Sequence, residues 1–569
     1  MSIIFKQYFK KPPHRWLFFY KEMKMKYIYI LLVCLFSINI FGQNTVGALR
    51  NDFGSFDGYT FFAPNASKET YLINNCGEVV HQWSTSGITD SKPAAAIYLL
   101  ENGNLLRTGK ITNPDITFGG VGGKIELFDW DNNLLWEYTY SSTEVSQHHE
   151  TYPLPNGNIL MLAVTTIPEA EAIQLGRNPA IINEGKLFNE QIIELQPDLV
   201  NGGATIVWEW NTKDHLIQDF DGSKTNFGVV GDNPGLLDIN FLNNELLGNA
   251  NWLHMNSVQY NANLDQIIMS SRLLDEIYII DHSTTTAQSA SHSGGTYGKG
   301  GDFLYRWGNP QAYDHGDSND RTLFSQHYPH WIPDGLNDAG KILIFNNGNA
   351  IRYSSINIIS PPTVSPGVYN YDIVNGYGPT TPEWSYTAPN QQDFFSSILS
   401  SAQRLPNGNT LICDGDSGYF FEIDASNNIL WEYRNPDTAN GILSQGDTPS
   451  ANLVFRALKY PKDYVAFAGK DLTPGNPIEL MPDLSGCSLL SNNDFKLSDI
   501  KIFPNPTTDI LNIKTSEVID EIDVYNILGI LVATNQVSNQ IDISHLSNGL
   551  YIIKFKSNGA SISKRIVKK

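Results

Sequence analysis

Four short segments combine the histidine and arginine side chains that could do chemistry in this chain. They are His148 to Glu150, Trp252 to Ser257, Ser325 to Trp331, and Asn346 to Arg352. A neutral imidazole can act as a nucleophile, and a guanidinium presents a planar fork of donors that fits a tetrahedral oxyanion. The residue types therefore predict an anion pocket, if the fold brings these segments together. The alternatives are solvation in a turn for His148 and His149, and packing against Trp331 for His330.

Other ionisable residues fit structural roles. Arg272 and Asp281 lie in a predicted strand and its exit turn, where we expect them to stabilise the strand. His282, His292 and His315 lie in polar loops and are predicted to be solvated. The sequence has no His-x-x-x-His helix, no Cys-x-x-Cys pair, no EF-hand-like loop and no glycine-rich phosphate loop. It therefore predicts neither a metal nor a cofactor.

An internal repeat must position these segments. An Asn-Gly-Asn core, which suits tight hairpin turns, lies within Leu100 to Leu106, Leu154 to Leu160, Ile344 to Asn349 and Leu405 to Leu411. Six strands with a tryptophan follow, at Val79 to Trp83, Leu135 to Tyr138, Val207 to Trp210, Phe303 to Trp307, Glu383 to Tyr386 and Leu430 to Tyr433. Repeats with one aromatic marker per unit are typical of a propeller.

The fold prediction is all-β: a six-bladed β-propeller over residues 43–482, followed by a small β-sandwich C-terminal domain. Innermost strands begin at the same end of a propeller's channel, so side chains at these starts converge although they are far apart in sequence. The alternative is a pair of β-sandwiches with unrelated hairpins.

The two ends of the chain differ from the repeat. Lys21, Lys24 and Lys26 precede an apolar run that ends near Phe41, which is the order of a signal peptide, so we assign residues 1–42 to an extension and signal peptide. Residues 483–496 form a polar linker. Residues 497–569 alternate apolar and polar side chains, as in a small β-sandwich.

The C-terminal stretch resembles the type A sorting domain of the type IX secretion system. Its motifs are the Phe-Pro-Asn-Pro506 opening, Val-Tyr-Asn-Ile-Leu-Gly529 and Leu-Ser-Asn-Gly-Leu-Tyr551. The resemblance implies export through the periplasm and outer membrane, to a secreted or cell-surface location, with the secretion machinery as a partner. A fibronectin-like structural module is the alternative.

Charge and cysteines narrow the function further. The formal charge of −21 would repel phosphate backbones, which argues against nucleic acid as a partner. Once Cys34 is removed with the signal peptide, Cys76, Cys413 and Cys487 remain. Cys76 and Cys413 lie near the ends of the repeat, where a propeller closes, so they form either a disulfide or two separate buried thiols. Nothing in the sequence indicates an oligomeric state.

Residues 55 to 470 resemble the bacterial arylsulfate sulfotransferases. The matching motifs are Trp252 to Val258, Ser270 to Arg272, Ile277 to Asp281, Gln326-His327 and Phe345 to Arg352. The resemblance implies a six-bladed propeller that moves a sulfuryl group from an aryl sulfate to a phenol through a sulfohistidine. It implies that His254, His327 and Arg352 hold the sulfuryl oxygens. We add His149 to this predicted catalytic set as a candidate nucleophile, and we predict substrate contacts from His148, Asn256, His330 and Trp331 in the same segments.

One departure from the family keeps the nucleophile open. The family's nucleophilic histidine lies in a late blade, and the corresponding stretch, Asp393 to Gln403, contains none. Either His149, His148 or His330 attacks, or transfer is direct, or only a binding pocket for sulfated or other anionic ligands survives. A quinone-dependent dehydrogenase propeller is a weaker alternative, because such propellers usually have more blades.

Overall fold

β-Strands are the main regular structure of the chain. The computed structural model describes residues 44–89, 91–243, 248–484, 487, 500–515, 519, 521–526, 530–535, 539–557 and 560–569. With 44% strand and 6% helix, the protein is all-β, as the alternating patterns predict. The predicted signal peptide at 1–42 and most of the predicted linker at 483–496 lie outside the described residues. Where the chain is described, no helix combines the length and apolar character needed to cross a membrane.

Six antiparallel sheets lie between Gly47 and Pro461, and each runs from an inner to an outer strand. Sheet 1 contains Val454–Pro461, Gly58–Pro64, Glu69–Ile73 and Val79–Ser84. Sheet 2 contains Lys92–Leu99, Leu105–Lys110, Gly123–Phe128 and Leu134–Thr139. Sheet 3 contains Val145–Pro153, Ile159–Pro168, Lys186–Pro197 and Ala204–Asn211. Sheet 4 contains Met255–Asn261, Gln266–Ser271, Glu276–Asp281 and Tyr305–Trp307.

Sheets 5 and 6 complete this region. Sheet 5 contains His327–Trp331, Ile342–Asn346, Ser355–Ile359 and Trp384–Tyr386. Sheet 6 contains Ser401–Arg404, Thr410–Asp414, Tyr419–Ile423, Ile429–Arg434 and, at its outer edge, Gly47–Asn51. Each inner strand contacts the inner strand of the next sheet, and that of sheet 6 contacts that of sheet 1. Sheet 1 takes its inner strand from the end of the repeat, so both ends of the region are joined by backbone hydrogen bonds.

The six predicted tryptophan strands are the fourth strands of the six sheets, counted from the inner strand. Their indoles bind the next sheet, which explains why the repeat carries this residue. Each indole N–H of the following set donates to the partner named: Trp83 to Asp129 O, Trp136 to Gly203 O, Trp208 to Thr284 Oγ1, Trp210 to Gly301 O, Trp307 to Pro379 O and Trp431 to Asn75 O. Trp384, the tryptophan of sheet 5, also contacts the next sheet: its ring centroid lies 4.7 Å from the guanidinium carbon of Arg404 in sheet 6.

Three of the four Asn-Gly-Asn segments form the turn between an inner strand and its neighbour. Gly103, Gly157 and Gly408 adopt positive φ there, as such turns require. The fourth segment lies elsewhere: Asn346 ends the second strand of sheet 5 and pairs with Ser355 across the following turn. This turn is at the opposite end of its sheet, and it brings Asn347 to His327.

Neither alternative for Cys76 and Cys413 is correct: the two residues do not form a disulfide with each other, and they are not both free thiols. Cys76, in the turn before the outer strand of sheet 1, is bonded to Cys487, with their Cα atoms 5.6 Å apart. Cys413 instead lies inside a strand of sheet 6, where its free thiol is buried against Phe420 and Trp431. A side chain fixed in that core cannot reach a turn, so the disulfide ties the segment after the last repeat strand to sheet 1.

Short elements connect or extend the sheets. In the part of the chain that the structure describes, helices lie at Glu169–Gln174 and Thr286–Ser289, with 3-10 turns at Pro179–Ile181, Thr212–Asp214, Val230–Asp232, Pro310–Tyr313, Gln391–Asp393 and Val465–Phe467. Two-stranded ribbons pair Leu216–Ile217 with Leu237–Asp238, Thr363–Ser365 with Val368–Tyr369, Tyr371–Asp372 with Gly376–Tyr377, and Asp437–Thr438 with Gly441–Ile442.

The C-terminal stretch forms two antiparallel sheets of its own. One contains Lys501–Phe503, Ile510–Lys514 and Gln540–Asp542, and the other contains Leu531–Asn535, Glu521–Asn526, Gly549–Ser557 and Ala560–Lys568. Both contribute to one apolar core that includes Leu511, Val524 and Phe555. The stretch therefore buries a hydrophobic core separate from those of the six sheets.

Candidate functional site

Three histidines from three sheets come together near the ring of inner strands. His149 lies in the inner strand of sheet 3, His254 directly precedes that of sheet 4, and His327 begins that of sheet 5. The ring centroids of His149 and His254 are 5.0 Å apart. His327 is close enough for its charge to bear on the pKa values of both.

Backbone irregularities turn these side chains toward one another. His149 and His254 adopt φ values of 46° and 48°, which are uncommon for residues other than glycine. In sheet 3 the register shifts between Met161 and Ala163, so the stretch from His148 to Glu150 forms a bulge. Bulges and positive φ values concentrate at functional sites, where they redirect side chains.

Each imidazole is held by a polar partner at Nδ1. Asn347 Oδ1 lies 2.7 Å from His327 Nδ1, and Asn251 Nδ2 lies 2.7 Å from His254 Nδ1. His148 and His149 face each other through their Nδ1 atoms at 2.9 Å. No hydrogen bond from the described residues reaches the Nε2 atoms of His149, His254 or His327. These three nitrogens are therefore available to a ligand.

A carboxylate stands behind the histidine pair. His148 Nε2 lies 2.8 Å from Glu190 Oε2, at angles outside those of a hydrogen bond, and the other Glu190 oxygen accepts from Met255 N. Because a carboxylate only accepts, the proton of His148 is favoured on Nε2, which leaves its Nδ1 as an acceptor. His149 then donates from Nδ1, and its Nε2 carries a free lone pair.

The electrostatics of the cluster keep its imidazoles neutral. Burial lowers the pKa values of His149 and His254 well below the ordinary range and lowers the pKa of His327 to about 3. The positive charge of Arg272 lowers all three pKa values further. At neutral pH each ring therefore has a lone pair for attack, acceptance of a proton, or a hydrogen bond.

The arginine beside the imidazoles is Arg272, which we had assigned to strand stability. It follows the second strand of sheet 4, and its backbone N–H donates to His254 O at 3.2 Å. Arg352 is exposed, and its guanidinium lies 4.5 Å from the Phe395 ring centroid. The Ser270 to Arg272 motif was a signal for this residue, because it belongs to the stretch that carries the family resemblance.

A buried ionic cluster lies next to the histidines in sequence and in space. Arg456 is 2.5 Å from Glu150 Oε2, donates to Tyr98 Oη at 2.8 Å, and places its guanidinium carbon 3.7 Å from the Tyr328 ring centroid. Gln259 also donates to Tyr98 at 2.9 Å. Since Glu150 follows His149 and Tyr328 follows His327, this cluster fixes the backbone beneath two of the three imidazoles.

An aromatic ring and two glycines border the histidines. The ring centroid of Phe118 is 5.8 Å from that of His254 and 6.4 Å from that of His149. A Cβ on Gly120 would collide with the His149 ring, so glycine is required for this close approach. The Gly119 to Gly120 segment thus lets the loop of Phe118 lie directly against the imidazoles.

The remaining sequence-predicted contacts have other surroundings. Asn256 is buried and donates to Gln326 O at 2.8 Å. Burial lowers the pKa of His330 to about 4, and its Nδ1 lies 3.1 Å from Tyr328 O. His330 therefore lies beside the ionic cluster around Arg456. Trp331 packs at the margin of an apolar core. The structure thus groups His148, His149, His254 and His327 with one another. The side chains of Asn256, His330 and Trp331 lie outside that group.

The late segment without histidine supports the site indirectly. Asn347, the partner of His327, donates to Ser396 O at 2.9 Å and to Leu399 O at 3.1 Å. The hydroxyls of Ser396 and Ser400 are 2.8 Å apart. This segment therefore fixes the amide that orients His327.

Comparisons with known proteins agree with the sequence motifs. The family model described as arylsulfotransferase (ASST) matches residues 47–455, and that of the secretion system C-terminal sorting domain matches residues 501–569. No curated protein matches the chain. The sorting domain directs the protein to type IX export, and so to the cell surface or the medium.

Similarity to solved structures is distant. A protein of unknown function from Bacteroides caccae is 9% identical, with 71% of this chain and 98% of that one covered and a TM-score of 0.37. The Pseudomonas aeruginosa periplasmic gluconolactonase PpgL is 8% identical, with 65% of this chain and 94% of that one covered and a TM-score of 0.34. These likenesses are too weak to carry an argument. The family match spans most of the chain, and on that ground the protein belongs to the arylsulfotransferase (ASST) family.

Proposed function

We propose that this protein transfers a sulfuryl group from an aryl sulfate to a phenol outside the cytoplasm. The observation that carries the proposal is the group of three neutral imidazoles, from sheets 3, 4 and 5, with Arg272 beside them. We further propose that the six sheets are the blades of a six-bladed propeller with this pocket at its hub, and that the two C-terminal sheets form a sandwich. The continuous contacts between inner strands support the propeller.

His149 is the proposed nucleophile. Its Nε2 lone pair attacks sulfur, an N–S bond forms, and the S–O bond to the aryl group breaks with its electrons left on the phenolate. Glu190 and His148 support the positive charge that develops on His149, because the carboxylate stabilises a cation relayed through the Nδ1 contact. This order of groups resembles the acid–histidine pairs that activate other nucleophiles.

The two remaining imidazoles have complementary protonation. His254 accepts from Asn251 at Nδ1, so its Nε2 carries the proton and can donate a hydrogen bond to the oxygen of the departing phenolate, which takes its own proton from water. His327 donates from Nδ1 to Asn347, so its Nε2 is free to take the proton of the acceptor phenol. The acceptor oxygen then attacks sulfur, the N–S bond breaks, His149 recovers its lone pair, and His327 releases the phenol proton to water.

Substrate binding follows from the surrounding side chains. Arg272 provides the positive charge for the sulfuryl oxygens, and Phe118 offers an aromatic face for the aryl ring. Arg352 remains a predicted contact, from its exposed position beside Phe395. An aryl sulfate and a phenol are accordingly the proposed small-molecule partners, with the type IX secretion machinery acting on the C-terminal domain.

Mass spectrometry after exposure to p-nitrophenyl sulfate tests the nucleophile. We expect a sulfuryl adduct on His149, turnover that rises when a phenol is added, and a loss of about 10³-fold or more in H149A. The exposed His545 of the C-terminal domain supplies the matched control, H545A. An adduct on another histidine would reassign the nucleophile.

A non-catalytic pocket for anionic ligands is the second candidate, and the absence of histidine from Asp393 to Gln403 favours it. It predicts calorimetric binding of the aryl sulfate without adduct or turnover, and a loss of that binding in R272M. If the wild-type protein neither binds nor turns over the aryl sulfate, both functions are excluded.

A further inference from the structure

A second group of convergent side chains lies between sheets 3 and 4, outside the histidine pocket. His215 follows the 3-10 turn Thr212–Asp214, and Asp302 lies in the loop that precedes the outer strand of sheet 4. His215 Nδ1 and His292 Nδ1 each lie 2.8 Å from Asp302 Oδ1. Within the described part of the chain, this is the group of His, Cys, Asp and Glu side chains whose ligand atoms lie close enough to share a metal ion.

The His215 ring is fixed on three sides. Its plane is parallel to the Trp210 indole within 2°, with centroids 5.4 Å apart. The Trp210 indole N–H donates to Gly301 O at 2.8 Å, and a Cβ on Gly301 would collide with the His215 ring. The ring can therefore neither tilt nor flip without disturbing the junction between the two sheets.

The hydrogen bond on the far side of His215 decides what Nδ1 can do. Its Nε2 lies 2.7 Å from the backbone carbonyl of Ser289, which only accepts, so Nε2 carries a proton. A neutral His215 then presents a lone pair at Nδ1 to the Asp302 carboxylate, which is also an acceptor. Two acceptors at 2.8 Å require either a second proton on the ring or a cation between them.

We propose that His215, His292 and Asp302 bind a divalent transition-metal ion such as Zn²⁺. Imidazole nitrogen and carboxylate oxygen are its common ligands, and three protein ligands leave a position for water. A metal-binding histidine characteristically donates its other N–H to a carbonyl or carboxylate, as His215 does to Ser289. This site is independent of the sulfuryl pocket.

The geometry requires only a small adjustment. Ligand atoms around tetrahedral zinc are roughly 3.3 Å apart, so Asp302 Oδ1, which lies on a loop, must move roughly 0.5 Å away from the Nδ1 atom of His215, and the Nδ1 atom of His292 must lie farther from Oδ1 by the same amount. His292 is 62% exposed on a loop and can move by that amount, whereas His215 is held in place. The fixed ligand thus sets the position of the ion, and the exposed ligand closes on it.

The ligand types favour a transition metal over Ca²⁺ or Mg²⁺. Two of the three side chains are imidazoles, whereas Ca²⁺ and Mg²⁺ prefer oxygen ligands.

Titration of the full-length protein with Co²⁺ and Zn²⁺ after treatment with a chelator tests the site. We expect one equivalent that is bound at least about 10-fold more weakly in H292A, the size of loss known for weaker, outer-shell partners. The matched control is H545A, which removes an exposed histidine elsewhere and should bind as the wild type does. The exposure of both residues makes misfolding an improbable cause of any difference.

D302N provides a second measurement, because it keeps the shape of the side chain while removing the charge. It should also weaken binding at least about 10-fold, and the absorption bands of bound Co²⁺ should change in both variants. Equal metal binding by the wild type and H292A would overturn the proposal. So would a wild-type protein without metal uptake whose His215 shows two ring protons by NMR, since the group would then be an ion pair.

Discussion

The buried pair of Arg456 and Glu150 should be among the largest single contributions to the stability of the repeat region. Their side chains are 1% and 0% exposed, and Arg456 also contacts Tyr98 and Tyr328. Burial raises the pKa of Glu150, and the charge of Arg456 opposes that effect. In R456M the carboxyl therefore loses the partner that keeps it ionised.

The expected cost follows from that carboxyl. Protonating a group with an ordinary pKa of 4.5 at pH 7 costs about 3.4 kcal/mol. Because Glu150 can escape its unpaired charge by taking up a proton, the penalty for that charge cannot exceed this cost. The lost hydrogen bonds and cation–π contact add to it, so we expect R456M to lower the free energy of unfolding by about 3 to 5 kcal/mol. Because Glu150 can protonate, the loss should shrink as the pH falls toward 4.5.

Denaturant unfolding of the wild type, R456M, E150Q and the double variant measures the effect. The double variant should lose about 2 kcal/mol less free energy of unfolding than the sum of the losses in the two single variants. The reason is that each single variant leaves one buried group without its partner. K462M is the control, since Lys462 is 51% exposed in its pair with Asp57 and should change stability by about 0.5 kcal/mol or less. A loss below about 1 kcal/mol in R456M, or strict additivity, would refute the reasoning.

Three further predictions concern the pH dependence of stability and the disulfide. His149, His254 and His327 are buried in the neutral form, and their pKa values are lowered. The free energy of unfolding should therefore be highest above about pH 6.5 and should fall below that pH by up to about 1.4 kcal/mol per pH unit for each histidine. In acid unfolding, H327Q should reduce this slope. Burial opposes the charged form of His282, yet Asp265 and Glu194 raise its pKa to about 9, so its contribution should instead be lost as the pH rises through 9, and H282Q should remove that alkaline loss. C487S should lower the free energy of unfolding by about 2 to 5 kcal/mol and should abolish the effect of a reductant on the melting temperature. C413A should leave the effect of the reductant intact. Equal responses of both variants to the reductant would contradict the Cys76–Cys487 assignment.

Local patterns in the sequence predicted the elements well. The tryptophan strands alternate with period two, and Asn-Gly turns require positive φ, so both features follow from a few neighbouring residues. The partner of Cys76 could not be obtained in this way, because Cys487 lies 411 residues away in the sequence, after the last repeat strand. The choice between Arg272 and Arg352 likewise depends on contacts between residues that are far apart in the sequence.

The histidine pair shows most clearly what a sequence pattern conceals. Successive residues of a regular strand point to opposite faces, so the sequence alone would separate His148 from His149. The bulge and the positive φ at His149 instead let both rings meet through their Nδ1 atoms. The strand register then places Glu190 behind them, because Ser146 pairs with Val164 and Val164 pairs with Glu190. The bulge, in which residues 148–150 stand opposite Leu162 alone, thus brings together two side chains that a regular strand would place on opposite faces. The chemistry proposed for His149 depends on this bulge.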